Sequence, residues 1–528
     1  MIEAQNRLDF FKPAGIRETV QALLPNCRFR QETAVGRCRT CSGLSARERC
    51  RRAIAERNSL SASSVLIFLC LARMRKGDYM NTERELLLLH QPVSVENGHL
   101  MMEGLQLEEI ARTCGTPLYV YSESHLEKVM EEYRSAFRSP DFETRVYYAS
   151  KAFSAKAMLR KVKEAGLYLD TVSLGEMMAA KAVGFDMKKV LLHGNNKSIR
   201  ELDYAFEQGV GIIVCDNPQE AALIAEAAKR HPETEMDILF RVNPGVEAHT
   251  HSYIVTAHVD SKFGTGIDQM DAIAGMAKLL DAQPNVHFRG FHAHIGSQIF
   301  DQNAFEAEIS TLARFAKDFE NFAHLPVRFI NLGGGFASWY TPEDKPIPIS
   351  QVCSFILESC AKAFQENHLE ISCVCIEPGR SIVGNAGLTL YTVNQIKQTP
   401  HKKYYFADGG MNDNIRPALY DAAYTCDLAG RMDQEKTEKV TVAGKCCESG
   451  DILVKEALLP RAEPGDILAV YTTGAYGQAM ASHYNRLPVP GVLFVKDTQM
   501  RWAIEPETPE QLLEQEKESD FFCLKDQD

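Results

Sequence analysis

No apolar run of bilayer length opens the chain. In the first hundred residues the longest is Val65–Ala72, eight residues where a spanning helix needs roughly 20. Cysteine is too sparse for a disulfide scaffold, 15 in 528 residues, and most sit in apolar runs. They read as reduced thiols of a cytoplasmic protein. Positive charge is in deficit: 58 Lys+Arg against 70 Asp+Glu leave a formal charge of −12. That argues against a general affinity for nucleic acid or an anionic membrane. A secretory signal is a poor fit too, since the short apolar run begins 64 residues in and no small-residue cleavage pattern follows it. What remains is ordinary for a folded enzyme, 45% hydrophobic and 24% charged. The length suggests two domains, or one large barrel with a partner.

Residues 1–79 are a different text. They carry fifteen Lys/Arg and seven Asp/Glu, about +8, which leaves −20 for the other 449 residues. Cys27, Cys38, Cys41 and Cys50 give C-x10-C-x2-C-x8-C. A tetrahedral zinc site wants two close pairs, or a Cys pair with a His pair. Only one close pair is present and the first histidine is His90, so no metal is expected and the segment reads as a weakly ordered basic extension.

From about residue 125 short β-branched or aromatic runs alternate with amphipathic stretches of helical length. The runs are Val146–Ser150, Tyr168–Val172, Val190–Gly194, Gly211–Asp216, Asp237–Asn243, Phe288–Gly296, Val327–Gly335 and Ile371–Gly379. Helix candidates between them include Ser154–Ala165, Gln219–Arg230 and Phe305–Phe319. Eight such units close a TIM barrel of about 250 residues. A doubly wound open sheet ranks second, because no Gly-x-Gly-x-x-Gly turn follows the first strand. After residue 385 strand-like segments follow one another without helices, from Leu388–Thr399 to Gln499–Ile504. The expected architecture is therefore an α/β barrel over 125–385, then an all-β sandwich or small barrel over 386–528, with 80–124 contributing to the β domain.

A barrel carries its chemistry at the C-terminal ends of its strands, and the unusual residues stand there. Lys151 follows the first strand, His193 the third and Arg241 the fifth; His294 and Ser297 follow the sixth, Gly333-Gly334-Gly335 the seventh, Glu377 and Arg380 the eighth. Consecutive glycines let backbone N–H groups approach a phosphate. Lys151, behind an aromatic lead-in, is suited to a Schiff base if its surroundings lower its pKa. With His294 as a stacking ring and Glu377 as a carboxylate beside a pyridine nitrogen, the cofactor indicated is pyridoxal phosphate.

The motifs Tyr148-Ala-Ser-Lys-Ala-Phe153, His193-Gly-Asn-Asn-Lys-Ser198, Asp260-Ser-Lys-Phe-Gly264, His292-Ala-His-Ile-Gly-Ser-Gln298 and Glu377-Pro-Gly-Arg380 occur in order. Asp408–Tyr420, Cys447-Glu-Ser-Gly-Asp451 and Gly474-Ala-Tyr-Gly477 follow. Over about residues 95–505 the chain resembles the diaminopimelate decarboxylases, within the alanine-racemase-like (fold-type III) pyridoxal-phosphate enzymes. The resemblance implies that Lys151 forms the imine with the cofactor and His294 stacks on its ring. Ser297, Gly333–Gly335 and the neighbourhood of Arg380 would hold its phosphate, with Glu377 on the pyridine nitrogen and Tyr476 also in reach. Arg380, Arg416 and Tyr420, with Tyr476 nearby, would bind substrate carboxylate, and Glu448 the distal ammonium. Cys447 would come from the second subunit of a homodimer with shared active sites and return the proton after CO2 leaves. The implied reaction converts meso-2,6-diaminopimelate to L-lysine and CO2, the last step of lysine biosynthesis.

A decarboxylase for ornithine, arginine or carboxynorspermidine is the nearest alternative, but such a site would leave a buried Arg416 without a carboxylate. A racemase is disfavoured by Glu377, and a non-catalytic regulator by the presence of Lys151, Glu377 and Cys447 together. Two local departures stand out: the doubled thiol Cys446-Cys447, and Tyr484-Asn-Arg-Leu-Pro488 where the family usually reads Tyr-Asn-Ser-Arg-Pro. Met80 reads like the start of a protein, with Arg75-Lys76-Gly77 before it as a translated purine-rich stretch. Residues 1–79 are expected to derive from an over-extended start site. Mass spectrometry of the native N-terminus should find Met80 first, and native peptides from within 1–79 would overturn this.

Overall fold

A computed structural model describes residues 87–246 and 261–514, with 516 and 517. The basic segment 1–79 with its cysteine spacing, and Asp260 of the Asp260–Gly264 motif, lie outside the described residues. The described chain begins with an antiparallel meander of Ser94–Glu96 (β1), His99–Met102 (β2) and Leu105–Gln106 (β3). Leu118–Ser122 (β4) follows and leads into the barrel.

The barrel strands are Glu143–Ala149 (β5), Tyr168–Thr171 (β6), Val190–Leu192 (β7), Ile212–Cys215 (β8), Met236–Asn243 (β9), Val286–His292 (β11), Phe329–Asn331 (β12) and Cys373–Ile376 (β13). A two-residue strand, Thr265–Gly266 (β10), pairs outside this ring on β9. Each barrel strand pairs in parallel with the next, β9 bridges β8 and β11, and β13 returns to β5. Every one of the eight apolar runs overlaps one of these strands, and the ring they close is the expected TIM barrel. Period-two alternation explains why these residues serve. Cys373 and Cys375 pack with Tyr147, Leu191 and Leu239 in one core, while Val374 and Ile376 join Val146 and Tyr148 in another. Cys215, Cys353 and Cys360 are buried as well.

The helix candidates fall on Lys156–Glu164, Pro218–Arg230 and Gln302–Ala323. Local signals start them: Asn217 caps the second through Glu220 N–H, with Pro218 in its first turn. Ser198 and Glu201 form a capping box ahead of Ile199–Gln208. The helix Ile349–Glu366 buries Val352, Cys353, Ile356, Cys360 and Ala363 at three- and four-residue spacing, one stripe against the strands.

The β domain is built from both sides of the barrel. Its strands are Gly387–Gln398 (β14), Lys403–Ala407 (β15), Cys426–Leu428 (β16), Glu438–Ala443 (β17), Ile452–Leu459 (β18), Ile467–Val470 (β19), Gly491–Lys496 (β20) and Gln499–Ile504 (β21). The order is β18-β17-β15-β14-β4-β20-β21, with β19 joining β14 and β16. Strand β4 lies antiparallel to β14 and parallel to β20, so the chain enters this sheet, makes the barrel and returns. Strands β16 and β18 were not legible. The first is three residues long, and Ile-Leu-Val-Lys-Glu-Ala-Leu-Leu of the second is half helix-forming in propensity, overridden by pairing with β17. Among the described residues no helix is long and apolar enough to cross a membrane.

One glycine sets the approach of β11 to β12. The register of β11 on β9 shifts between Phe288 and Gly290, and a Cβ at Gly290 would fall 1.9 Å from the Phe329 carbonyl oxygen. Gly290→Ala must push two barrel strands apart just below His292. We expect a loss of about 2 kcal/mol or more, read as a lower thermal midpoint by circular dichroism; an unchanged midpoint would show that the strands give way freely.

Candidate active site

A cavity of about 480 Å³ opens at the C-terminal ends of the barrel strands, a size suited to a small organic ligand. Lys151, His294, Ser297, Gly334, Gly335 and Glu377 line it from the barrel. Arg380, Arg416, Tyr420 and Tyr476 complete it. Gly333 lies behind the wall, where its φ of +63° and a Cβ position 2.6 Å from the Ala293 carbonyl require glycine. A Cβ on Gly334 would come within 2.4 Å of the Glu377 carbonyl, so the triple glycine serves close strand packing as well as open access.

Glu377 is the most heavily hydrogen-bonded acid of the cavity. It follows β13 directly and accepts from His193 Nε2 at 2.8 Å, Asn331 Nδ2 at 2.7 Å and His292 Nε2 at 3.2 Å. Burial alone would raise its pKa, yet its histidine partners hold it well below the carboxylate range. Burial keeps both histidines neutral, His193 below its ordinary value and His292 down at about 4. We therefore read them as neutral N–H donors to an ionised carboxylate. His193, His292 and Glu377 have metal-like spacing, but these hydrogen bonds account for the arrangement. A carboxylate offers about four lone-pair directions, so three donors leave one for a ligand N–H.

Lys151 sits on the single turn Ser150–Ala152 after β5 and projects into the cavity. Its pKa departs from expectation. Burial pulls the ammonium down, but Asp170, Tyr476 and Glu377 outweigh burial and the Arg241 charge, and the pKa lies above the ordinary value. The free amine is thus held as a cation by its acidic neighbours. Asp170, at the end of β6, has both carboxylate oxygens buried without a hydrogen-bond partner, and burial with Glu377 nearby lifts it to about 7.

Two arginines also line the cavity. Arg380 and Arg416 are buried, and their hydrogen bonds go to hydroxyls: Ser297 Oγ at 3.0 Å and Tyr340 Oη at 2.6 Å for Arg380, Tyr340 at 3.0 Å and Tyr424 Oη at 2.7 Å for Arg416. Arg380 Nε has no partner. Tyr476 comes from the β domain, fixed by its N–H on the Ala152 carbonyl at 3.0 Å, and lies 4.9 Å from the Arg380 guanidinium. The His294 ring lies beside the glycine loop, Nδ1 accepting from Gly334 N–H at 3.2 Å, and burial keeps it neutral. These residues fit pyridoxal phosphate: an amine, a buried anion with a free lone pair, a neutral ring, and guanidinium N–H groups awaiting an anion.

Two of the expected residues are not brought together with the rest. Cys447 and Glu448 are exposed and do not line the cavity. The doubled thiol is resolved into two roles in packing: Cys446 is buried near Asn412 Oδ1, with its thiol pushed up to about 11 chiefly by burial, while Cys447 faces outward. Asp170, His292, Asn331 and Tyr340 were missed. The first three stand at strand ends, where the barrel rule applied to every strand would have found them; Tyr340, in a loop, had no such signal. The histidines also give a pH test. Unfolded His292 binds its proton near 6.5 and folded His292 near 4, so its contribution is complete above 6.5 and is lost as pH falls toward 4. Urea melts across that window should lose up to about 3 kcal/mol from this residue. His292→Asn, which keeps an N–H donor, should flatten the dependence, and an unaltered slope would refute the assignment.

The family model described as "Pyridoxal-dependent decarboxylase, pyridoxal binding domain" matches residues 123–384. A diaminopimelate decarboxylase of Bacillus subtilis is 41% identical over 419 residues, covering 79% of this chain and 95% of that protein. The Bacillus methanolicus enzyme of the same name is 43% identical over 403 residues, 76% and 93% of the two chains. The crystal structure of diaminopimelate decarboxylase from M. jannaschii superposes with a TM-score of 0.75 at 31% identity, over 81% of this chain and 98% of the other. The strand-end lysine, the buried glutamate and the buried arginines thus stand in a chain that belongs to the diaminopimelate decarboxylase family of pyridoxal-dependent decarboxylases.

Proposed function

We propose that this chain decarboxylates meso-2,6-diaminopimelate to L-lysine and CO2. The observation that carries the reading is a single cavity lined by Lys151 and Glu377 together with two guanidinium groups, Arg380 and Arg416, whose hydrogen bonds go to hydroxyls and not to carboxylates. Bound pyridoxal phosphate supplies an electron sink for the pair left on the substrate α-carbon when its bond to the carboxylate breaks. Lys151 Nζ is the amine placed to hold that cofactor. Asp170, buried without a hydrogen-bond partner, is the acid whose charge most raises the Lys151 pKa, so it holds that amine as its cation. Glu377, ionised and ordered by three donors, keeps a proton on the pyridine nitrogen. His294 would give the ring a neutral face; Ser297 and the Gly333–Gly335 loop, with the neighbourhood of Arg380, would serve the phosphate.

Substrate choice follows from the distal head. Diaminopimelate keeps a second carboxylate and ammonium after reaction at the first. Arg380 and Arg416 suit the carboxylate, with Tyr420 and Tyr476 also lining the cavity. One proton must return to the α-carbon, and Cys447 is our candidate donor, with Glu448 for the distal ammonium. Because both are exposed and outside the cavity of their own chain, we infer a homodimer in which each copy lends them to the other site. Free cysteines throughout the described residues support a reducing, cytoplasmic setting.

Measured CO2 release should be fastest from meso-diaminopimelate in a panel with lysine, ornithine and arginine. Lys151→Ala should lose roughly a thousandfold or more in kcat together with the absorbance of bound cofactor. Faster turnover of ornithine would overturn the substrate assignment.

A further inference from the structure

The loop that carries Cys447 and the segment Tyr484-Asn-Arg-Leu-Pro488 meet in the β domain. The Cys447 backbone N–H donates to Asn485 Oδ1 at 2.7 Å, across 38 residues of sequence. Asn485 is a member of the segment that agrees with the family pattern. Arg486, where that pattern has Ser, pairs instead with Glu516 at 2.8 Å. Asn485 has a left-handed backbone, φ +55° and ψ +23°, which asparagine tolerates better than most residues. Arg486 follows at φ +56°. The turn is fixed at both ends: Ser482 N–H donates to the Asn412 carbonyl at 2.7 Å, and Val489 N–H to Glu507 Oε2 at 2.9 Å. Arg486 N–H closes it on the His483 carbonyl at 2.8 Å.

A second anchor, buried, holds the residue before. Asp451 accepts from Cys446 N–H through Oδ2 and from Met411 N–H through Oδ1, both at 2.7 Å. Lys445 N–H adds a bond to the Gly409 carbonyl at 3.0 Å. Two consecutive amides are thus held by two different side chains, Cys446 by Asp451 and Cys447 by Asn485. One fixed amide leaves the next residue free to turn about its own φ and ψ; a second removes that freedom, since the peptide between them is planar. Asp451 therefore fixes where the loop leaves the domain, and Asn485 fixes which way Cys447 points. Asn485 and Cys447 are both exposed in the single chain, where water competes for such a bond. A partner copy covering them would exclude that water.

We propose that Asn485 is a positioning residue for proton return: by holding the Cys447 amide it aims the Cys447 thiol at the site of the partner copy. The donor role of Cys447 and the dimer rest on the function proposed above. In the step served, the S–H bond breaks, its proton joins the electron pair left on the α-carbon by CO2, and water reprotonates the thiolate. A thiol held on one side of that carbon delivers to one face. A thiol free to swing lets water compete from either face. Misplacing a reacting group by about 1 Å can cost up to about a hundredfold in rate, so one backbone hydrogen bond suffices to matter.

Two variants of the cofactor-loaded protein separate aiming from a merely structural role. Asn485→Gly removes the acceptor and keeps the left-handed turn relaxed; Asn485→Asp keeps both an acceptor oxygen and tolerance of that turn. Turnover of diaminopimelate in heavy water by the wild type should place deuterium at one stereochemical position of the new CH2 carbon of lysine, read by NMR. Asn485→Gly should scramble that position and lower kcat about tenfold. KM should stay within about twofold, because Glu448 keeps its own N–H bond to the Cys446 carbonyl at 2.8 Å. Asn485→Asp should restore most of both losses. Without turnover, hydrogen exchange in the peptide from Lys445 to Gly450 should show one amide faster by about fivefold or more in Asn485→Gly. Stereochemically pure lysine from Asn485→Gly would overturn the proposal, as would a loss that Asn485→Asp leaves unrestored. Pure product from Cys447→Ala at undiminished kcat would instead sink the donor assigned above, and the exchange arm would still decide whether Asn485 fixes the loop.

Discussion

The ionised carboxylate of Glu377 is the constraint on which the rest of the site depends. A carboxylate removed from water costs several kcal/mol unless other groups replace its hydration. Here three side chains do so, and each comes from the end of a different strand: His193 after β7, His292 on β11 and Asn331 on β12. The charge is thus tolerable only in a closed barrel, where strands distant in sequence deliver their ends to one point. The same Asn331 accepts from Gly333 N–H at 2.9 Å, so the group that steadies the acid also shapes the glycine loop.

Charge is distributed around that acid by sign. Asp170 and Glu377 act electrostatically on Lys151, while Arg380 and Arg416 in the same cavity have hydroxyl partners. An aromatic, aldehyde-bearing cofactor would meet the amine with its carbonyl, and a substrate carboxylate would meet the guanidinium groups. The β domain completes this cavity. Arg416 and Tyr476 belong to it, and Tyr476 is fixed to the barrel through the Ala152 carbonyl. The place of β4, which precedes the barrel, between β14 and β20, which follow it, ties the β sheet covalently to both ends of the barrel.

Much of this was legible because strand ends in a barrel are marked by residues unlike the strands themselves. The runs ending near Lys151, His193, Arg241, His294, Gly333 and Glu377 announced both the fold and the position of its chemistry. Reading Lys151 alone, however, suggested a depressed pKa, since burial is the effect an aromatic lead-in announces. The acids that reverse the sign lie 19 and 226 residues further on, at Asp170 and Glu377. Cys447 stood apart from Cys446 in the sequence only by its place next to Glu448, whereas packing turns Cys446 inward and Cys447 out.

Periodicity and strand-end chemistry are local properties, written within a dozen residues, and they suffice for the barrel, for most of the β domain and for the cofactor class. Partnerships are not local. That Asn331 would meet Glu377, that β4 would pair with β14 and β20, and that Tyr340 would receive both Arg380 and Arg416 depends on how the ring closes and where the second sheet docks. Hydrogen bonds and ionisation respond to neighbours within a few ångströms in space, and chain closure alone supplies those neighbours.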